Sequence, residues 1–385
     1  MRELIESEKI PIKSWVRDIE QGALEQAKNL ANLPFAFKHV ALMPDCHEGY
    51  GMPIGGVLAT RNVVIPNAVG VDIGCGMCAL QTSLKDIQPK KLQKIINRIK
   101  ETIPVGFEHH KFDQDENLLP ERKFPMKIID SQFNSAKRQV GTLGGGNHFI
   151  EIQKAADKSI WIMIHSGSRN LGKQVADNYN NIAKELNVKM NVELPKHWQL
   201  AYLPTDTEEA QNYLNEMNFC VDFAFANRKL MIDNIKEIFE DIVHSSFGDF
   251  INIAHNYARI ENHFGENVII HRKGATSAGV GEKGIIPGSQ GTKSFIVSGK
   301  GNPESFESCS HGAGRKLGRK QAQRSLNLKR EIEAMNKKGI LHDIRTEKQL
   351  DEAPGAYKDI DLVMKNQEDL VEILVELIPL AVIKG

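Results

Sequence analysis

The sequence predicts an α/β fold: one large domain over residues 1–385, with mixed β-sheets and helices around them. Three observations predict it. Short runs rich in Ile and Val, of strand length, are scattered along the whole chain. Longer stretches with helical periodicity lie between them. No repeat, low-complexity tract or linker divides the 385 residues, and a chain of this length can bury a substantial core without disulfides or metals.

The strand candidates are His39–Met43, Gly56–Thr60, Cys78–Gln81, Phe149–Ile152, Ile160–Ile164, Val268–Ile270 and Phe295–Val297. Leu92, Ile95, Ile96 and Ile99 repeat at helical spacing and predict a helix with one apolar face. A helical excursion spans about 205–245, where Thr205 and Glu208 form a capping-box pattern. Helices are also expected over Arg315–Ala334 and Gln367–Leu377, and a loop over the polar, aperiodic segment Glu108–Lys127.

Composition narrows the class. Hydrophobic residues are 41% and charged residues 25%, which excludes collagen, long coiled coil and wholesale disorder. No apolar run approaches the ~20 residues of a membrane span, so no membrane partner is expected. The N-terminus lacks the apolar stretch of a signal peptide. Five cysteines are too few for a disulfide framework, and a reducing, cytoplasmic setting is the expectation. The 49 basic residues balance 49 acidic ones, so a nucleic-acid partner must be met by a local patch.

Glycine is clumped: four in Gly49–Gly56, three in Gly70–Gly76, four in Gly141–Gly146 and eleven between Gly274 and Gly318. Clumps of this kind mark tight turns and backbone that approaches a ligand closely. Histidines collect beside them. His109, His110, His197 and His342 sit in polar contexts that face solvent. His47, His148, His165, His255, His271 and His311 sit in apolar or glycine-rich contexts. Any one of these is ordinarily a hydrogen-bonded core histidine; six together point to a polar, metal-bearing site.

Asp72 and Cys75 are three residues apart in GVDIGCGM, close enough in a tight turn to share one ion, though a structural turn with a buried cysteine reads equally well. Cys75 and Cys78 have the spacing of half a zinc site, but no second pair follows. Asn147 and His148 end the glycine loop of GTLGGGNHFIE at a strand mouth. His165 ends the run Ile160–Ile164, with Ser166, Ser168, Arg169 and Asn170 after it as potential phosphate contacts. His255 ends another apolar stretch. Asp72, Cys75, His148, His165 and His255 make a mixed O, S and N set, too large for one tetrahedral ion and suited to two that share the thiolate. Ligand softness alone favours zinc. His311 lies among small residues that leave room for a large ligand. From Arg315 to Arg330 there are seven basic residues and no acidic one; such runs are usually solvated helix faces, and one that starts beside a candidate active histidine also suits a polyanion.

In chain order, PDCHEGYGMPIGGV, GVDIGCGM, GGGNHFIE, HSGSRNLG, AHNYA, HRKGA, PGSQGT, SHGAGR and the terminal KG resemble the motifs of RtcB-type RNA ligases. They run from Pro44 to Lys384, with a departure at Gln290, where many members carry methionine. The resemblance implies one RtcB-like catalytic domain with a central metal and nucleotide cleft. It implies a ligase that uses GTP and two Mn2+ ions to join an RNA 3′-phosphate or 2′,3′-cyclic phosphate to a 5′-hydroxyl. Mn2+ then displaces the zinc that softness favours. The implied ligands are Asp72, Cys75, His148, His165 and His255, with Cys75 bridging, and the implied nucleophile is His311, which would carry GMP.

The implied nucleotide site draws on several motifs. Asn147, His148, Phe149 and Glu151 come from the first glycine loop, and His255 and Asn256 from AHNYA. Pro287, Gly288, Ser289, Gln290 and Ser294 surround PGSQGT. His311, Gly312, Ala313, Gly314 and Lys384 complete it. Arg272 and Lys273 are candidate RNA-phosphate contacts, and Asp45, Cys46 and His47 have no assigned role. The implied partners are RNA and GTP, and an activator of the archease type is left open. Two other classes remain at this stage: a two-metal phosphoesterase or nuclease that needs no nucleotide, and a non-catalytic RNA-binding repair protein.

Overall fold

The computed structural model describes residues 1–385. Two sheets dominate a single α/β fold. A six-stranded sheet runs in the order Glu3–Ile5, Ile12–Ser14, Ala36–Tyr50, Met52–Thr60, Glu266–Lys273 and Asn256–His263. A seven-stranded sheet runs Phe247–Ala254, Gly76–Thr82, Ile160–Ser166, Phe149–Ala155, Val371–Lys384, Ser294–Gly299 and Lys283–Ile286. Neighbours are antiparallel except Ile12–Ser14 beside Ala36–Tyr50, which is parallel. All seven expected strands form, each of them longer than its apolar run.

The sheets meet over one core. Phe37, Met43, Val57 and Ile270 from the first pack with Ile286, Phe295 and Val297 from the second, and with Trp15 and Phe306 from the loops. The far face of the seven-stranded sheet carries Ile150, Ile152, Ile160, Ile162 and Ile164 and is covered by two helices. One is Pro89–Thr102, which applies the expected stripe of Leu92, Ile95, Ile96 and Ile99. The other is Glu208–Val243, which lays Met231, Ile232, Ile235 and Phe239 on the same core. Its N-terminal half packs Tyr213, Met217, Cys220 and Phe223 against Arg169–Lys189 and Lys127–Gln139. No helix is long and apolar enough to cross a membrane.

Several expectations are corrected. The long helix is capped by Thr207, whose hydroxyl accepts from Ala210 N at 3.2 Å; Thr205 follows the short strand Leu203–Pro204 and is held outside the helix. The basic segment is not one helix. It forms Arg319–Ser325 and Leu328–Lys337, because the Asn327 side chain accepts from Arg330 N and starts a new helix there. Gln367–Leu377 is not a helix. Val371–Lys384 is a strand paired on both sides, with Phe149–Ala155 and Ser294–Gly299; its β-branched residues suit both a helical and a pleated reading, and the two partner strands decide it. His342 is buried, with Nδ1 accepting from Ile344 N.

The strand assignment makes a sharp contrast between adjacent residues. Leu377 is fully buried, whereas Ile378 is 56% exposed. Leu377→Ala should cost about 2–4 kcal/mol in urea unfolding, and Ile378→Ala about 0.5 kcal/mol or less.

Candidate active site

The pleat of the seven-stranded sheet sorts core from site. Ile160, Ile162 and Ile164 point to the helical core, so Trp161, Met163 and His165 point the other way. Phe149 lies opposite His165 and Glu151 opposite Met163. On the other flank Lys384 lies opposite Phe149 and Val382 opposite Glu151. A bulge between Pro379 and Ala381 sets this register. One face of three adjacent strands therefore collects Phe149, Glu151, His165 and Lys384, with the Lys384 ammonium 5.5 Å from the Phe149 ring centroid.

The donor cluster forms at the end of this face. The turn at Asp72 places Cys75 at the mouth of Gly76–Thr82, with Cys75 N donating to Asp72 O. Gly76 admits no side chain, since a Cβ there would lie 1.9 Å from Ile253 O. The chain crosses from one large sheet to the other at His255, whose N–H donates to Cys75 O at 2.8 Å. Cys75 Sγ is then 3.2 Å from His165 Nε2 and 3.5 Å from His148 Nε2. His148 Nε2 is 3.1 Å from Asp72 Oδ2, and His165 Nε2 is 3.4 Å from His255 Nε2.

All five expected ligands meet, and Cys75, His148 and His165 form a group able to hold a metal ion. The donor chemistry fits a divalent cation. His148 Nδ1 donates to Leu143 O at 3.0 Å and His165 Nδ1 to Asn147 O at 3.2 Å. Both Nε2 lone pairs therefore face the sulfur. Burial, followed by the neighbouring rings, holds His165 and His255 well below the usual imidazole range, so both are neutral. Burial and the Asp72 charge push the Cys75 thiol well up, so its ionisation calls for a cation.

His311 stands next to the cluster, its ring centroid 4.8 Å from that of His255. It follows the short strand Ser308–Ser310 and is held by Asp45, which is fully buried in Ala36–Tyr50. Asp45 Oδ2 accepts from His311 Nδ1 at 2.6 Å, from His311 N at 3.1 Å and from Gly312 N at 3.2 Å. The proton is thereby assigned to Nδ1, and Nε2 is left as a free base. Gly314 (φ +73°) closes the loop over the same strand, where a Cβ would lie 2.2 Å from Asp45 O.

A cavity of about 210 Å³ opens beside His311. Its walls include twelve of the expected nucleotide residues: Asn147, Phe149, Glu151, Pro287, Gly288, Ser289, Gln290, His311, Gly312, Ala313, Gly314 and Lys384. The other four lie outside these walls. His148 and His255 are in the donor cluster. Asn256 donates to Asp72 O and accepts from Gly274 N. Ser294 Oγ accepts from Gly288 N at 3.1 Å. Glu151 is buried, and burial raises its carboxyl to about 8 against the pull of Gln153 and Lys384.

Other candidates are absorbed by the fold. Arg169 donates to Thr142 Oγ1 and Gly106 O. Ser166 and Ser168 donate to Leu143 O and Ile73 O, which leaves Asn170 as the exposed residue of the four. Arg272 is fully buried against Glu261, and Lys273 donates to Tyr50 O and Asn67 O, so neither presents its charge to an RNA backbone. His271 is a core histidine, its Nε2 accepting from Ile65 N. Sequence reasoning left Asp45 without a role and missed Glu352 and Tyr357, which line the cavity with Arg315 and Arg319. Glu352 lies in the polar stretch Glu347–Glu352, where nothing local distinguishes it from its neighbours.

Comparison with known proteins gives one family. The chain matches the family described as tRNA-splicing ligase RtcB over residues 26–123 and 108–385. It is 38% identical to the RNA-splicing ligase RtcB of Escherichia coli K12, across 100% of this chain and 99% of the relative. It is 33% identical to the tRNA-splicing ligase RtcB of Nanoarchaeum equitans, across 98% and 95%.

The loops of the cluster are tied together by two buried side chains of the long helix. Asn227 accepts from Gly141 N and Thr142 N and donates to Ser166 Oγ and Gly167 O. Arg228 Nη1 donates to Gly74 O at 3.1 Å and Ser166 O at 2.7 Å, the carbonyls adjoining Cys75 and His165. Arg228→Met leaves both carbonyls without that donor and should lower stability by about 3 kcal/mol in urea unfolding.

Proposed function

The chain belongs to the RtcB family and is an RNA ligase, and on that premise we propose that it uses GTP to join RNA 3′-phosphate or 2′,3′-cyclic phosphate ends to 5′-hydroxyl ends. The observation that carries this reading is the His311 ring, anchored through Nδ1 on Asp45 and standing between the donor cluster and the cavity.

His311 Nε2 attacks the α-phosphorus of GTP. An N–P bond forms, the α–β phosphoanhydride bond breaks and pyrophosphate leaves. Asp45 keeps the Nδ1 proton in place and balances the positive charge that the ring acquires. An oxygen of the RNA 3′-phosphate then attacks the same phosphorus, the N–P bond breaks and the ring is again neutral. The RNA now ends in a 3′-diphosphoguanosine. The 5′-hydroxyl attacks the RNA phosphorus, loses its proton and expels GMP. A cyclic phosphate is first opened by water to the 3′-phosphate. Two Mn2+ ions held by Asp72, Cys75, His148, His165 and His255 would supply positive charge against the phosphates.

Guanine is recognised by the strand face. Glu151, as a carboxylate, accepts from N1–H and the 2-amino group, Lys384 donates to O6, and Phe149 supplies an aromatic surface. Asn147, Ser289 and Gln290 border the nucleotide, and Gly312 and Gly314 let the loop approach it. The exposed basic residues of Lys316–Arg330 suit the RNA backbone beyond the site.

Incubation with labelled GTP and Mn2+ should yield an acid-labile GMP adduct, formed far faster than any adduct from labelled ATP. His311→Ala should abolish the adduct in a folded protein. Metal-dependent RNA hydrolysis without any GTP requirement would instead mark a phosphoesterase, and salt-sensitive RNA binding without an adduct a non-catalytic protein. A second test uses pH. Glu151 is raised to about 8, so it is largely protonated at pH 7 and guanine binding must release its proton. GTP affinity should therefore rise about tenfold per pH unit up to about 8 and then level off, and Glu151→Gln should flatten the profile in fluorescence titrations.

A further inference from the structure

Glu352 has no place in the chemistry above, yet it is the most heavily engaged carboxylate in the cavity wall. It ends the segment Glu347–Glu352, is 5% exposed and faces three cations. Arg315 Nη1 is 3.0 Å from Oε1, Arg319 Nη1 is 3.2 Å from Oε1, and Lys384 Nζ is 3.2 Å from Oε2. The Tyr357 hydroxyl also donates to Oε2. Its main chain is anchored too, since Gln290 Nε2 donates to Glu352 O at 2.6 Å.

The consequence falls on Lys384. An exposed lysine near a strand end samples many rotamers. Here two acceptors fix the ammonium: Glu352 Oε2, and Asn147 O at 3.1 Å. Of its three N–H groups, one remains for a ligand. A purine with an oxygen at position 6 accepts that proton. A purine with an amino group there sets donor against donor in a partly buried site, and groups on both sides go unpaired.

We propose that Glu352 is a positioning residue that sets base selectivity, by pinning Lys384 so that the cavity favours a 6-oxopurine over a 6-aminopurine nucleotide. This rests on the nucleotide reading above and deepens it. A purely structural carboxylate would act differently: its loss would loosen Arg315 and Arg319 and weaken GTP and ATP alike. A pinning role changes their ratio.

The test measures initial rates of adduct formation with labelled GTP and labelled ATP at equal concentrations, for wild type, E352Q, E352D, K384M and E352Q/K384M, each checked for folding by thermal unfolding. In E352Q the GTP-to-ATP ratio should fall by about tenfold or more, and E352D, which keeps the charge, should recover most of it. The double variant should be no less selective than K384M, because Glu352 acts through Lys384. If E352Q does not fold, the E352D and K384M ratios carry the comparison, with E352D expected between K384M and wild type. Equal loss of both rates with an unchanged ratio overturns the proposal. A wild-type chain that forms no adduct overturns the nucleotide reading itself, and this inference with it.

Discussion

The Asp45 carboxylate is the contact on which the site depends. It is fully buried in the six-stranded sheet, yet one of its oxygens accepts three N–H donors from the loop that carries His311. Its other oxygen, Oδ1, is buried without a hydrogen-bond partner, so the carboxylate depends on these three donors and keeps them only while that loop stays closed. Remove the loop and an anion is stranded in the core; remove the anion and the imidazole is free to turn. The same contact selects the ring's tautomer, so fold and chemistry draw on one interaction.

Around it, burial serves two purposes. The seven-stranded sheet keeps one oily face toward its helices, and its other face, apolar over Met77, Trp161, Met163 and Ile296, turns polar at the cavity with Glu151, His165 and Lys384. His255 joins the sheets at the crossing point, and the long helix fastens the ligand-bearing loops through Asn227 and Arg228. The cluster is therefore held by backbone carbonyls and helix side chains, and rigid support of this kind is what a site needs to keep its donors in register.

Much of this was legible in the sequence. Short apolar runs marked every strand expected, because β-branched residues in a buried sheet leave little ambiguity. That Cys75, His148 and His165 would come together was legible because each sits at a strand end or glycine turn, where chemistry tends to gather. The C-terminal strand was misread because Val371–Leu377 satisfies helical spacing as well as alternation, and only its two partners break the tie. The role of Asp45 depended on a contact 266 positions away along the chain. Glu352 was equally silent, since its partners Arg315, Arg319 and Lys384 approach from separate segments. Arg272 and Lys273 look like surface cations from their neighbours, and their burial is a property of the assembled sheet.

The alternation of Phe149–Ala155 between oil and cavity has a corollary for how such a chain can change length. One extra residue between Phe149 and Gln153 would carry Glu151 into the isoleucine core and bring an isoleucine into the pocket, so a single insertion would harm folding and chemistry together. An added residue is borne more easily in a connection such as 108–126, which contains no strand of either sheet and so shifts neither face.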